Sequence, residues 1–169
     1  MRRMSAANPI LIAFAVALGA TACASKKVPN SAADLGLGGG VGAGAQTPGS
    51  TGDFTVNVGD RIYFDTDSSV IRADAQVTLT RQAQWLNRYP AYSITIEGHA
   101  DERGTREYNL ALGARRAAAT RDFLVARGVA ANRIRTISYG KERPVAACDD
   151  ISCWSQNRRA VTVLGGQGS

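Results

Sequence analysis

The feature that most limits what this chain can fold into is a glycine-rich stretch that no core can use. Eight glycines fall between Gly36 and Gly52, mixed with Pro, Ser and Thr, and no hydrophobic period survives from Ala24 to Asp53. Such a segment buries too little apolar surface to offset the entropy of ordering it, so it reads as a flexible tether. About thirty residues of this kind span roughly 30 Å on average. Fully extended they reach about 100 Å. Whatever folds must then lie in residues 54–169, enough for one compact domain around a single core.

Ahead of the tether, Arg2 and Arg3 supply a positive start, and an apolar run from Ile10 to Ala20 leads to Ala20-Thr-Ala-Cys23. That run is short for a bilayer span and no stop-transfer pattern follows, so residues 1–22 read as a secretory signal peptide, with an uncleaved anchor as the alternative. A cysteine directly after small residues resembles the lipobox of bacterial lipoproteins. The resemblance implies that the Cys23 thiol takes a diacylglycerol and the new amine a third acyl chain. Several chains anchor stably where one does not. The usual Leu three places before the cysteine is Ala20 here, and Ala24 in place of Asp implies outer-membrane and not inner-membrane residence.

Within the domain, Arg61–Phe64 reads as a strand. Ala75, Leu79, Ala83 and Leu86 predict a helix over 74–89, ended by Pro90. Tyr92, Ile94 and Ile96 alternate as a half-buried strand, and Gly98–Gly104 forms a loop. Thr105 is placed to cap a second helix reaching Arg127, with Leu110, Ala114, Ala117 and Leu124 as its apolar side and Gly128 just past its end. Strands over 133–138 and 158–164 follow. The order β-α-β-α-β-β predicts an α/β two-layer sandwich, a mixed sheet with helices on one face. The domain holds 16 basic and 12 acidic residues, and every base but Lys141 is arginine. Acids are interspersed throughout, with no basic block or aromatic stacking pattern, which argues against nucleic acid.

The loop and second helix carry the chemistry. Asn109, Leu112 and Arg116 share one helical face, and Asp101 lies near that helix's start. An acid and an arginine flanking a groove suit a zwitterion: the carboxylate takes an ammonium, the guanidinium a carboxylate in a two-pronged contact. By residue type alone, such a pair is more often a solvated surface ion pair than a ligand site.

The stretch Glu97-Gly-His-Ala-Asp-Glu-Arg-Gly-Thr-Arg-Glu-Tyr-Asn109 with Leu112-Gly-Ala-Arg-Arg-Ala117 resembles the peptidoglycan-binding signature of the OmpA-like domain family. Ser138–Pro144 and Asn157–Val161 resemble its later blocks, and Asp101-Glu-Arg-Gly-Thr105 resembles its peptidoglycan-associated lipoprotein (Pal) branch. The resemblance implies a ligand, the meso-diaminopimelate of the stem peptide, whose side chain ends in an amino-acid zwitterion. It implies the ammonium at Asp101 and the carboxylate at Arg116, with Asn109 and Leu112 completing the groove and Thr66 and Asp67 closing its other side. Gly113 and Thr120 stand where the family usually has Ser and Val, at positions expected to be structural. The branch further implies TolB, the periplasmic propeller of the Tol system, as a partner competing for an overlapping surface. Glu102 and Arg103 are the candidate contacts, and envelope constriction in cell division is the implied process.

No enzyme is expected. His99 beside Asp101 invites a metal or acid–base reading, as in a wall hydrolase. One histidine without a second His or a Cys is poor metal chemistry, and no nucleophile stands beside it. In the family it positions the loop. Cys148 and Cys153 favour a disulfide in an oxidising compartment, over a metal site that would need two more ligands. No cofactor is expected. The readings in play are thus an outer-membrane wall anchor of the Tol–Pal system, a general OmpA-like anchor without a Tol partner, a wall-acting hydrolase, and a signalling or adhesin lipoprotein.

Overall fold

The computed structural model describes residues 46–167. The signal peptide, Cys23 and the tether up to residue 45 lie outside the described residues.

The tether ends earlier than its composition suggests. Thr51–Asp53 forms a short helix (α1) that runs into a π-helical turn, Phe54–Gly59. Ser50 caps it by accepting from the Asp53 amide at 3.1 Å. Asp53 in turn takes the Trp85 indole N–H at 2.8 Å, and the Tyr92 hydroxyl donates to the Gly49 carbonyl at 2.8 Å. Gly49 sits at φ +82°, and a Cβ there would meet the Tyr89 ring at 2.6 Å. The boundary at Asp53 therefore moves back to about Thr47. Specific polar contacts, invisible to hydrophobic periodicity, hold a stretch that composition alone assigns to a linker.

Four strands follow: β1 Arg61–Tyr63, β2 Tyr92–His99, β3 Ile134–Gly140 and β4 Arg159–Gln167. They lie in the order β1-β4-β2-β3, with β2 and β3 parallel and the other pairs antiparallel. Helices α2 (Ala73–Arg88) and α3 (Arg106–Ala126) cover the face carrying Ile62, Ile94, Ile96 and Ala160. This is the two-layer mixed α/β architecture expected. Leu79 and Leu86 of α2, Leu124 of α3, Phe54 and Phe64 fill the interface. Gln82 of α2 is buried there too, donating to the Gly59 carbonyl at 2.6 Å and accepting from the Thr162 hydroxyl at 2.8 Å. A buried amide persists only when both its ends are satisfied.

Two expectations need correction. The element order gains a helix, α4 Ile151–Asn157, before the last strand. Asp150 caps it by accepting from the Ser152 amide at 2.7 Å, and Asn157 closes it by bonding the backbone of Val145 and Ala146. At seven residues it is too short for a hydrophobic stripe to register. The inward side of α3 is also rotated from the one expected: Leu110 and Ala114 face solvent, while Asn109, Leu112, Gly113, Arg116, Ala117, Thr120 and Leu124 point inward. The cap at Thr105 and the left-handed Gly128 (φ +90°) match the sequence reading.

Gly98 of β2 and Gly113 of α3 let these elements touch. A Cβ on Gly98 would lie 1.9 Å from the Gly113 carbonyl oxygen, and one on Gly113 would lie 2.8 Å from the Gly98 carbonyl. Thr120, the other departure from the family pattern, is buried and donates to the Arg116 carbonyl at 2.8 Å. Both departures are thus structural. Gly98→Ala should lower unfolding free energy by about 2–3 kcal/mol through overpacking against backbone. Urea denaturation followed by circular dichroism reads it, and an unchanged midpoint would refute the close-approach argument.

Candidate functional site

At the carboxyl end of β2 a bulge skips Tyr139, so that His99 pairs with Gly140. The chain then runs through Ala100 and Asp101 toward the start of α3. The turn after β1, residues 65–68, comes to the same place, with Asp67 in the left-handed region at φ +54° and receiving the Tyr108 hydroxyl.

Arg116 joins these pieces. Its side chain is wholly buried, and its guanidinium donates to three backbone carbonyls: Nε to Ser68 at 2.8 Å, Nη1 to His99 at 2.8 Å and Nη2 to Asp65 at 3.0 Å. It also lies over the Phe64 ring, 5.2 Å from the centroid. Burial lowers the Arg116 pKa to about 10, with Asp101 opposing and Arg158 assisting, so it stays charged at neutral pH.

Asp101, 7 % exposed, accepts from Arg103 through the amide (3.2 Å), Nε (3.3 Å) and Nη2 (2.7 Å), and from Arg158 Nη1 at 3.3 Å. Burial pushes the carboxyl up, but hydrogen bonds and charge from Arg103, with the bond from Arg158, outweigh it and hold it below the usual range. Asn109, also buried, donates from Nδ2 to the Arg103 carbonyl at 2.7 Å, which ties the end of the loop to the helix.

All six expected ligand residues therefore gather in one region, but not as a simple open groove. Thr66 and Asp67 are exposed, Asn109 and Leu112 are buried, and Arg116 lies beneath the 65–68 turn. Asp101 and Arg116 are both buried and each bonds other partners, Asp101 the side chains of Arg103 and Arg158 and Arg116 the backbone. Arg103, the candidate partner contact, is also the main partner of Asp101 while its side chain stays partly exposed, and its guanidinium stacks on Trp154 at 4.2 Å. Glu102 accepts from the Trp154 indole. Sequence reasoning missed Arg158, whose Nε also donates to the Phe64 carbonyl at 3.1 Å. Its signal was the Asn157–Val161 block, read there as a family marker without a role.

His99 sits behind the loop, 1 % exposed, beside the Tyr139 ring at 5.6 Å. Neither ring nitrogen has a hydrogen-bond partner among the described residues, since the Glu97 carboxylate at 3.5 Å from Nε2 is not aligned for one. Burial, with the charges of Arg159 and Arg143, lowers its pKa to about 4. A neutral imidazole sealed from solvent cannot serve as acid or base toward a wall bond. Cys148 and Cys153 are paired, with Cα atoms 5.6 Å apart, so the neighbouring Asp150 has no thiolates to join it on a metal. A cleft of about 500 Å³ lies beside the loop, lined by Ala100, Glu102, Lys141, Pro144, Ala146 and Asn157, and not by Asp101 or Arg116.

Two outcomes follow for stability. Arg116→Met should cost about 2–4 kcal/mol, because three carbonyls each lose a charged donor; a urea midpoint equal to wild type would count against the network. The unfolded chain protonates His99 near pH 6.5 and the folded chain only near 4. Stability should therefore fall as pH drops through that window, by up to about 3 kcal/mol, and His99→Phe should flatten the dependence. Denaturation midpoints at pH 7, 5.5 and 4.5 check this.

Comparison with known proteins adds three findings. A profile of the OmpA family matches residues 63–158. The peptidoglycan-associated lipoprotein of Rhizobium meliloti (strain 1021) is 76 % identical over 165 residues, covering 97 % of this chain and 92 % of its own length. That of Mesorhizobium japonicum is 75 % identical over 162 residues, covering 96 % and 95 %. The crystal structure of the peptidoglycan-associated lipoprotein from Burkholderia pseudomallei is 45 % identical and superposes with a TM-score of 0.61, covering 63 % of this chain and 90 % of that one. These names describe a lipoprotein associated with peptidoglycan and not an enzyme.

Proposed function

The chain belongs to the OmpA family and, within it, to the peptidoglycan-associated lipoproteins, and on that premise we propose that it is a non-enzymatic anchor between a lipid-held amino terminus and the cell wall. The observation that carries this reading is the convergence of a charged carboxylate, Asp101, and a charged guanidinium, Arg116, on one loop, bracketed by the 65–68 turn. Opposite charges held apart by a scaffold recognise a zwitterion. The amino-acid end of meso-diaminopimelate is one, and lysine in the same stem position lacks the second carboxylate. Thr66 and Asp67 offer the exposed approach, and Asn109 and Leu112 support the floor.

Acylation at Cys23, residence in the outer membrane facing the periplasm, and a place in the Tol–Pal system belong to the same proposal. Their support is the Ala20–Cys23 sequence, the Pal-type wording Asp101-Glu-Arg-Gly-Thr105, and the relatives' common name. TolB is the proposed protein partner, with Glu102 and Arg103 at the contact.

The test uses the full chain in detergent micelles, sedimented with meso-diaminopimelate wall and with lysine-type wall. Asp101→Asn is the informative variant, because it keeps shape and removes charge, whereas loss of Arg116 perturbs the fold itself. Retention on the first wall alone, reduced at least tenfold in Asp101→Asn, is expected. A folded wild-type chain that stays in the supernatant with both walls would sink the anchor reading.

A further inference from the structure

The Asp101 carboxylate has no room for a ligand as it stands. An ionised carboxylate offers about four lone-pair positions. Here Oδ1 faces the Arg103 amide and Nε, and Oδ2 faces Arg103 Nη2 and Arg158 Nη1. An incoming ammonium is a donor only, so it must displace one of these arginines.

The two are not equivalent. Arg158 is buried and also serves the Phe64 carbonyl, so moving it disturbs the start of β4. The Arg103 side chain is 41 % exposed and grips Asp101 with Nε and Nη2 from the solvent side. Its position is fixed from outside by Trp154, whose ring lies 4.2 Å from the guanidinium carbon. Trp154 is fixed in turn by its indole bond to Glu102 and by α4, which the Cys148–Cys153 pair and the Asp150 cap hold in place. Cation and ring are thus arranged to keep the guanidinium on the carboxylate.

We propose that Arg103 is a built-in competitor for the ammonium site: a cap on Asp101, steadied by Trp154, that a wall ligand must displace before it binds. The proposal rests on the assignment of Asp101 to the ligand ammonium. It makes Arg103 a specificity-determining residue, because a group without full positive charge cannot repay the broken two-pronged ion pair and is turned away. Arg103 acts here through Asp101 and does not touch the ligand.

The probe is a soluble muropeptide containing meso-diaminopimelate, titrated calorimetrically into the full chain in detergent micelles. Arg103→Gln removes the competing charge and should bind about three- to tenfold more tightly than wild type. Arg103→Lys, which keeps the charge but not the fork, should fall between. Trp154→Leu loosens the cap and should tighten binding in the same direction by less. If wild-type binding requires Asp101 but Arg103→Gln binds equally or more weakly, the cap is overturned and the site assignment stands. If wild type and Asp101→Asn bind alike, or neither binds, the site assignment falls and the cap with it. Unfolding midpoints recorded for each variant separate a lost site from a lost fold.

Discussion

One guanidinium organises this end of the molecule. Arg116 is carried into the interior by α3 and ends among three carbonyls, two from the turn after β1 and one from the end of β2. Those segments lie far apart in the chain, and Arg158 makes a second bridge between them, from the Phe64 carbonyl to Asp101. A backbone carbonyl removed from water needs a donor, and a buried cation needs acceptors. Each requirement here answers the other. The consequence is that the residues expected to recognise a ligand also complete the fold, so binding chemistry and stability draw on the same atoms.

The close contact of Gly98 with Gly113 makes that arrangement reachable. With no side chain on either residue, α3 drops onto β2 until backbone meets backbone, and Arg116, one turn further along α3, arrives at the level of the loop. The bulge at Gly98–His99 then sends the imidazole to one side and the His99 carbonyl to the guanidinium on the other. Packing, strand register and electrostatics are therefore a single arrangement seen at three scales.

Much of this was legible in the residues. The long helices, the strand alternation at Tyr92–Ile96, the cap at Thr105 and the gathering of Asp101, Asn109 and Arg116 all follow from spacing or from the family signature. What escaped has a common physical cause. The apolar spacing of Leu110, Ala114, Ala117 and Leu124 places Leu110 on the inward side, yet α3 turns a polar stripe inward, since Arg116 and Asn109 find buried partners there. Helix α4 is too short to have a period. Gly49–Asp53 is held by single hydrogen bonds to Tyr92 and Trp85, partners about forty and thirty residues away, which no local pattern encodes. Periodicity reads which face is oily; it does not read which polar group has a partner waiting.

The docking of Gly49 on Tyr92 also sets a direction. The described chain comes in beside the first residue of β2, while Asp101 lies just beyond its last, so entry point and site stand about 25 Å apart along one strand. Under the proposed tethering, a pull between membrane and wall runs lengthwise down β2. Its ladder to β4, paired from Tyr92 to Gly98, is then loaded in shear. Bonds loaded that way share the force and yield together, where bonds loaded crosswise would open one after another like a zip. Under that proposal, tension between membrane and wall falls on the β2–β4 pairing as a whole and not on one rung of it.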